Sequence, residues 1–173
     1  MFYLRLFTFS SMCLGVFISQ VSAQTSSNPH QHPVSSSSID GAMHPELIPD
    51  SLAYRLYFVA VSTGQNPTDI DLQRQQAHLR KIGLEADDHK TFVSVLSDFR
   101  VKYDALVDQY NASAKAAAAR NEAADITGLL KALDGLVQIT RDTLKLHLTS
   151  EGMFRLHAFV MSEKKNMKVE PED

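Results

Sequence analysis

Seven histidines are the residues in this chain best suited to chemistry, because imidazole binds metal ions and titrates near neutrality. Their spacing decides what they can do. His30-Gln31-His32 is a His-x-His pair, and His44 follows further along. Ring nitrogens so placed can take copper, nickel or zinc. The pair sits among serines and prolines, where nothing fixes the ring orientation that tight metal sites depend on. His30, His32 and His44 are therefore the candidate metal ligands, and a solvated polar tail is the competing reading. His78, His89, His147 and His157 fall on helical patterns. None has a histidine four residues on, and no His-Glu-x-x-His or Glu-x-x-His arrangement occurs. They read as surface or half-buried side chains.

Other constellations are sparse. The carboxylate pairs Asp69/Asp71 and Asp87/Asp88 stand at helix starts, where capping and the helix dipole account for them. Ser94, Ser97 and Ser113 lack a Gly-x-Ser-x-Gly context and a companion base. The chain has neither a phosphate loop nor a dinucleotide fingerprint. Its single cysteine, Cys13, leaves no pair for a disulfide, a Cys-ligated zinc or a Cys-x-x-Cys-His haem site. The expectation is a protein that is not an enzyme and holds no cofactor.

The elements that must position these residues centre on a proline-free stretch from 85 to 148. One apolar seam runs Phe92, Leu96, Phe99, Tyr103, Leu106, Tyr110. A second runs Ile126, Leu130, Leu133, Val137, Thr140, Leu144. Alternating steps of four and three put one helix face against a partner. Between the seams lies an alanine-rich stretch across which the phase slips. One helix over the whole stretch would be roughly 95 Å long, and no partner in this chain could cover it. A reversal near 120–124 is expected, with Asn121 or Asp125 as breaker or cap. Gly128, Ala132 and Gly135 make a small-residue face on the second helix. Close approach of another helix is the expected compensation for interior glycine, which costs about 1 kcal/mol against alanine, and a shallow ligand groove is the alternative.

Around this hairpin the chain divides readily. Residues 1–23 carry Arg5, an apolar run from Leu6 to Ile18 and the small-residue site Val21-Ser22-Ala23, which is a signal-peptide pattern. The apolar run is shorter than a membrane-spanning helix needs, so no stable membrane insertion is expected after cleavage. Residues 24–41 form a Ser/Pro/His leader expected to be disordered. Residues 42–168 form the helical domain, and 169–173 an acidic tail. Removing Arg5 with the signal leaves 16 of the 17 basic residues against 20 acidic ones, a formal charge of −4. Such a balance is a poor fit to nucleic acid.

Within the domain, Asp50 is expected to cap a first helix over 51–62. That helix is apolar on nearly every side and belongs in the centre, with Arg55 ion-paired or reaching for solvent. A second helix starts at Asn66-Pro67 or at a Thr68/Asp71 capping box and stops at Gly83. Its thin apolar seam is Leu72, Leu79 and Ile82. The third and fourth helices are the hairpin. A fifth, capped by Thr149, is expected over 150–168, with Met153, Leu156, His157 and Val160 as its apolar face. No strand pattern emerges after the signal. The expected fold is all-α, a bundle of about five helices built on a long antiparallel helical hairpin.

Two passages, Pro45-Glu46-Leu47-Ile48-Pro49-Asp50-Ser51-Leu52-Ala53-Tyr54-Arg55 and Ser162-Glu163-Lys164-Lys165-Asn166-Met167-Lys168, resemble small exported all-helical proteins of soil bacteria with no assigned activity. The architecture is also similar to periplasmic chaperones of the Spy and CpxP type. Their signature is a repeated Leu-Thr-x-x-Gln, of which Leu148-Thr149 keeps the first two residues. The expected function is that of an exported, non-enzymatic binding or interaction protein, chaperone-like in the sense of that resemblance, in which exposed apolar flanks of the hairpin contact other exported proteins. It is expected as a monomer or weak homodimer in the periplasm or outside the cell. The alternative is a periplasmic metal-handling protein that uses the leader histidines.

Overall fold

The computed structural model describes residues 38–170. Five helices form: α1 (Asp50–Val61), α2 (Asp69–Ile82), α3 (Ala86–Ala119), α4 (Ile126–His147) and α5 (Ser150–Glu163). Two short strands, β1 (Ile39–Asp40) and β2 (Lys168–Val169), pair antiparallel, with Ile39 opposite Val169. The fold is an all-α bundle, as the periodicity predicts.

Local chemistry sets most of the helix ends. At the start of α2, Thr68 Oγ1 accepts from the Asp71 backbone N–H at 3.3 Å while the Asp71 carboxylate takes the Thr68 N–H at 3.0 Å. This is the reciprocal capping box. Gly83 closes α2 in the left-handed region, at φ 71°. The hairpin turns where the breaker residues stand. Asn121 has φ 56°, a conformation asparagine tolerates better than most, and the Asp125 carboxylate accepts from the Gly128 N–H at 2.9 Å to start α4.

The core forms around α1. Ala53, Tyr54 and Phe58 are wholly buried. The Phe58 ring meets Phe92 and Phe99 of α3 edge-on, at centroid distances of 6.4 and 5.4 Å. α1 touches all four other helices, while the most extensive helix–helix contact is α3 against α4. Arg55 lies 3.6 Å from Asp134 of α4, so the charge on the central helix is ion-paired.

Several expectations are corrected. Asp50 does not cap α1. Pro49 occupies that position, and the Asp50 carboxylate instead accepts from Lys164 Nζ at 2.6 Å. On α2, Leu72 is exposed and the buried seam is Gln75, Leu79 and Ile82. Gln75 Nε2 donates at 3.0 Å to the Val61 carbonyl, one of the last-turn acceptors of α1 that has no partner within its own helix. The fifth helix stops at Glu163, well short of 168, and passes through a 3-10 turn (Lys164–Asn166) into β2. The domain also begins before residue 42. The Gly41 N–H donates to the Met167 carbonyl at 2.8 Å, and a Cβ at Gly41 would run into the carbonyls of Lys164 and Met167. Backbone pairing between the two ends of the domain leaves no trace in an alternation pattern, which is why neither strand was expected.

Candidate interaction surface

Among the described residues, those singled out for chemistry by the sequence do not converge on one place. His44 is exposed, and its Nδ1 lies 3.1 Å from the Glu46 carboxylate. His30 and His32 lie outside the described residues. Among the described residues, no three His, Cys, Asp or Glu side chains gather as a metal-binding group. His78 is half-buried on α2. Burial, followed by the field of Lys81, holds its pKa below the ordinary value. The paired carboxylates at the start of α3 separate in role. Asp87 is exposed, 3.4 Å from Lys90. Asp88 is buried and reaches across to the start of α5, where it accepts from the Thr149 N–H at 2.9 Å and from the Thr149 hydroxyl. Capping of its own helix therefore does not explain Asp88; it anchors the next corner of the bundle.

A second polar group was not foreseen. The Tyr54 hydroxyl is hydrogen-bonded to His157 Nδ1 at 3.0 Å, and the Arg141 guanidinium lies over the Tyr54 ring, 4.3 Å from its centroid. Burial raises the Tyr54 pKa. Asp50 stands nearby. Its hydrogen bond from Lys164 pulls its pKa down, and the fields of Lys164, His157 and Arg141 act in the same sense. Tyr54, Arg141, His157, Asp50 and Lys164 come from α1, α4, α5 and the 3-10 turn, so no local motif could have found them. Together they tie α1 to α4, to α5 and to the 3-10 turn. The phenol is wholly buried, which leaves it no approach to a substrate.

The surface offers more than these clusters do. α3 has 34 residues, which makes it about 51 Å long, whereas α1, α2 and α5 have 12, 14 and 14. The bundle cannot cover such a hairpin along its whole length. On α3, Phe92, Leu96 and Phe99 are core, with Tyr103 and Leu106 packed partly against it. Beyond Leu106 the only buried residue of α3 is Ala117. The projecting half therefore carries Val107, Tyr110, Leu129 and Leu130 only partly covered, and Ile126 exposed. A shallow groove of about 50 Å3 lies between the two helices, lined by Val95, Asp98 and Lys102 on one side and Ile139, Thr140 and Thr143 on the other.

The small-residue face does not receive a helix. A Cβ at Gly135 would meet no atom within 4 Å, and one at Gly128 would meet only its own cap, Asp125. Ala132 is exposed. The expected compensation within the chain is absent, because α3 and α1 both pack on the other side of α4, against Leu133, Leu136, Val137, Thr140 and Leu144.

Neither family models, curated proteins nor solved structures give a match to this chain. The functional reading rests on the surface. Among the described residues no helix is long and apolar enough to cross a membrane.

Proposed function

We propose that this is an exported, non-enzymatic helical interaction protein, chaperone-like in its contacts, whose working element is the α3–α4 hairpin. The observation that carries the reading is the projection of the hairpin beyond the core, with Ile126 at 44 % exposure and Val107, Tyr110, Leu129 and Leu130 only partly covered. Apolar side chains left open to water on a projecting element mark a place where another protein makes contact. The partners that fit are other exported proteins with exposed apolar segments. Export rests on the pattern of Arg5, the run from Leu6 to Ile18 and Val21-Ser22-Ala23.

The test is suppression of aggregation. The purified protein is mixed with a reduced, unfolding client, and light scattering is followed. The expected result is that the protein slows aggregation and that Ile126→Glu weakens the effect while helical content stays unchanged. The side chain is exposed, so the substitution leaves the fold intact. Aggregation that proceeds equally with and without the protein defeats the reading.

A further inference from the structure

The outward face of α4 carries a coiled-coil seam with no helix on it. Ala132, Ile139 and Leu146 repeat every seven residues, and Gly128, Gly135 and Asp142 repeat every seven residues between them. The combined spacing alternates four and three, the pattern of two interlocking rows of a seam. These rows point away from the buried side of the helix. Ile139 is 61 % and Leu146 80 % exposed, and Gly135 faces open space. Large side chains fill one half of the seam and glycines the other.

We propose that a second copy of this chain covers the seam, docked as an antiparallel α4–α4 pair with two-fold symmetry. Coiled-coil knobs need holes on the facing helix. When the two-fold passes at the level of Val137, Ile139 lies over the partner's Gly135 and Leu146 over the partner's Gly128. One register satisfies both contacts because both rows share the seven-residue repeat, and symmetry makes each contact twice. The seam from Gly128 to Leu146 is ~27 Å long.

Charge fits the same register. Asp142 falls opposite the partner's Ala132, next to the partner's Lys131. Asp142 and Lys131 are both exposed. A parallel pair would instead set Asp142 against the partner's Asp142 and glycine against glycine, leaving like charges and empty holes. The face is complementary to itself only when antiparallel, and that singles out a second copy over an unrelated partner.

This inference rests on the reading of the hairpin as an interaction element, and it can fail while that reading stands. The test is sedimentation velocity on the full purified chain across a concentration series. The expected result is a reversible monomer–dimer equilibrium. Ile139→Asp and, independently, Gly135→Leu should each weaken it by more than about tenfold, with helical content unchanged by circular dichroism. Lys131→Glu and Asp142→Lys should each weaken the dimer, and the double variant should restore it, since every copy then carries the exchanged pair. A monomer at every concentration overturns the proposal. So does a dimer indifferent to Ile139→Asp and Gly135→Leu, or a charge exchange that fails to restore. A chain that stays monomeric yet suppresses client aggregation overturns the dimer alone, whereas a dimer without that effect overturns the client reading alone.

Discussion

The Asp88 carboxylate shows how one residue can hold a corner of the bundle. It is 4 % exposed and accepts two hydrogen bonds from Thr149, while Thr149 Oγ1 accepts from the Gly152 N–H at 3.0 Å. Gly152 is the only residue type that fits there, because a Cβ would collide with the Asp88 carboxylate. Gly152→Ala should therefore lower stability by about 1–3 kcal/mol in urea unfolding. Gly135→Ala, in open space, should raise it by about 0.5–1 kcal/mol, through the better helix propensity of alanine. Equal effects at the two glycines would contradict this arrangement. A second residue-scale effect follows from His78. Its folded pKa lies below the ordinary 6.5, chiefly through burial. Above that value the ring is neutral in both states and contributes nothing to pH dependence. As pH falls through and below 6.5, the unfolded chain takes up the proton first, so stability declines. His78→Gln should flatten that part of the stability–pH curve, measured as the difference between variant and parent.

At the scale of elements, the hairpin divides into a packed half and a projecting half, and truncations should report the difference. Phe99 is 1 % exposed and meets Phe58 and Tyr103 at ring-centroid distances of 5.4 and 5.7 Å. Phe99→Ala should cost about 3–5 kcal/mol, and Leu133→Ala about 2–5 kcal/mol. Lys115→Ala, on the exposed alanine-rich end of α3, should stay within about 0.5 kcal/mol. Chemical denaturation of the three variants decides it. A large loss at Lys115 would mean that the alanine-rich end is packed. The reversal itself was legible because it needs only local chemistry: a residue that tolerates positive φ at 121 and a carboxylate cap at 125. The role of Gln75 was not legible, since its acceptor belongs to the end of another helix.

For the whole molecule, the two ends of the described chain meet. β1 pairs with β2, Lys168 Nζ lies 3.5 Å from the Asp40 carboxylate, and Gly41 packs under the turn after α5. The boundary of the folded unit therefore falls a few residues earlier than low complexity alone suggests. Removing residues 24–37 should leave the melting temperature nearly unchanged. Extending the deletion through Gly41 should lower it by several degrees, because it removes the strand pairing and the Gly41–Met167 hydrogen bond. Thermal unfolding of the two truncations makes the comparison, and an equal melting temperature would show that the closure contributes nothing.

The amino-acid sequence by itself determined the helices, their main stops and the reversal of the hairpin. Each of these depends on period, on a cap or on a backbone conformation, and all three are properties of neighbours along the chain. The Thr68/Asp71 box, Gly83, Asn121 and Asp125 could be read before any packing was known. Only the tertiary structure decided what the polar side chains do. Asp50 could have capped its own helix, but Lys164 claims it. Asp88 could have been a solvated helix-start acid, but it is buried on Thr149. His157 was read on an apolar face and is hydrogen-bonded to Tyr54. Their partners lie 114, 61 and 103 residues away in the chain, and no local pattern encodes which polar group a buried one will meet. The small-residue face of α4 follows the same logic. Spacing announced a surface built for close approach, and the fold left that surface open because the helices of this chain pack on the opposite side.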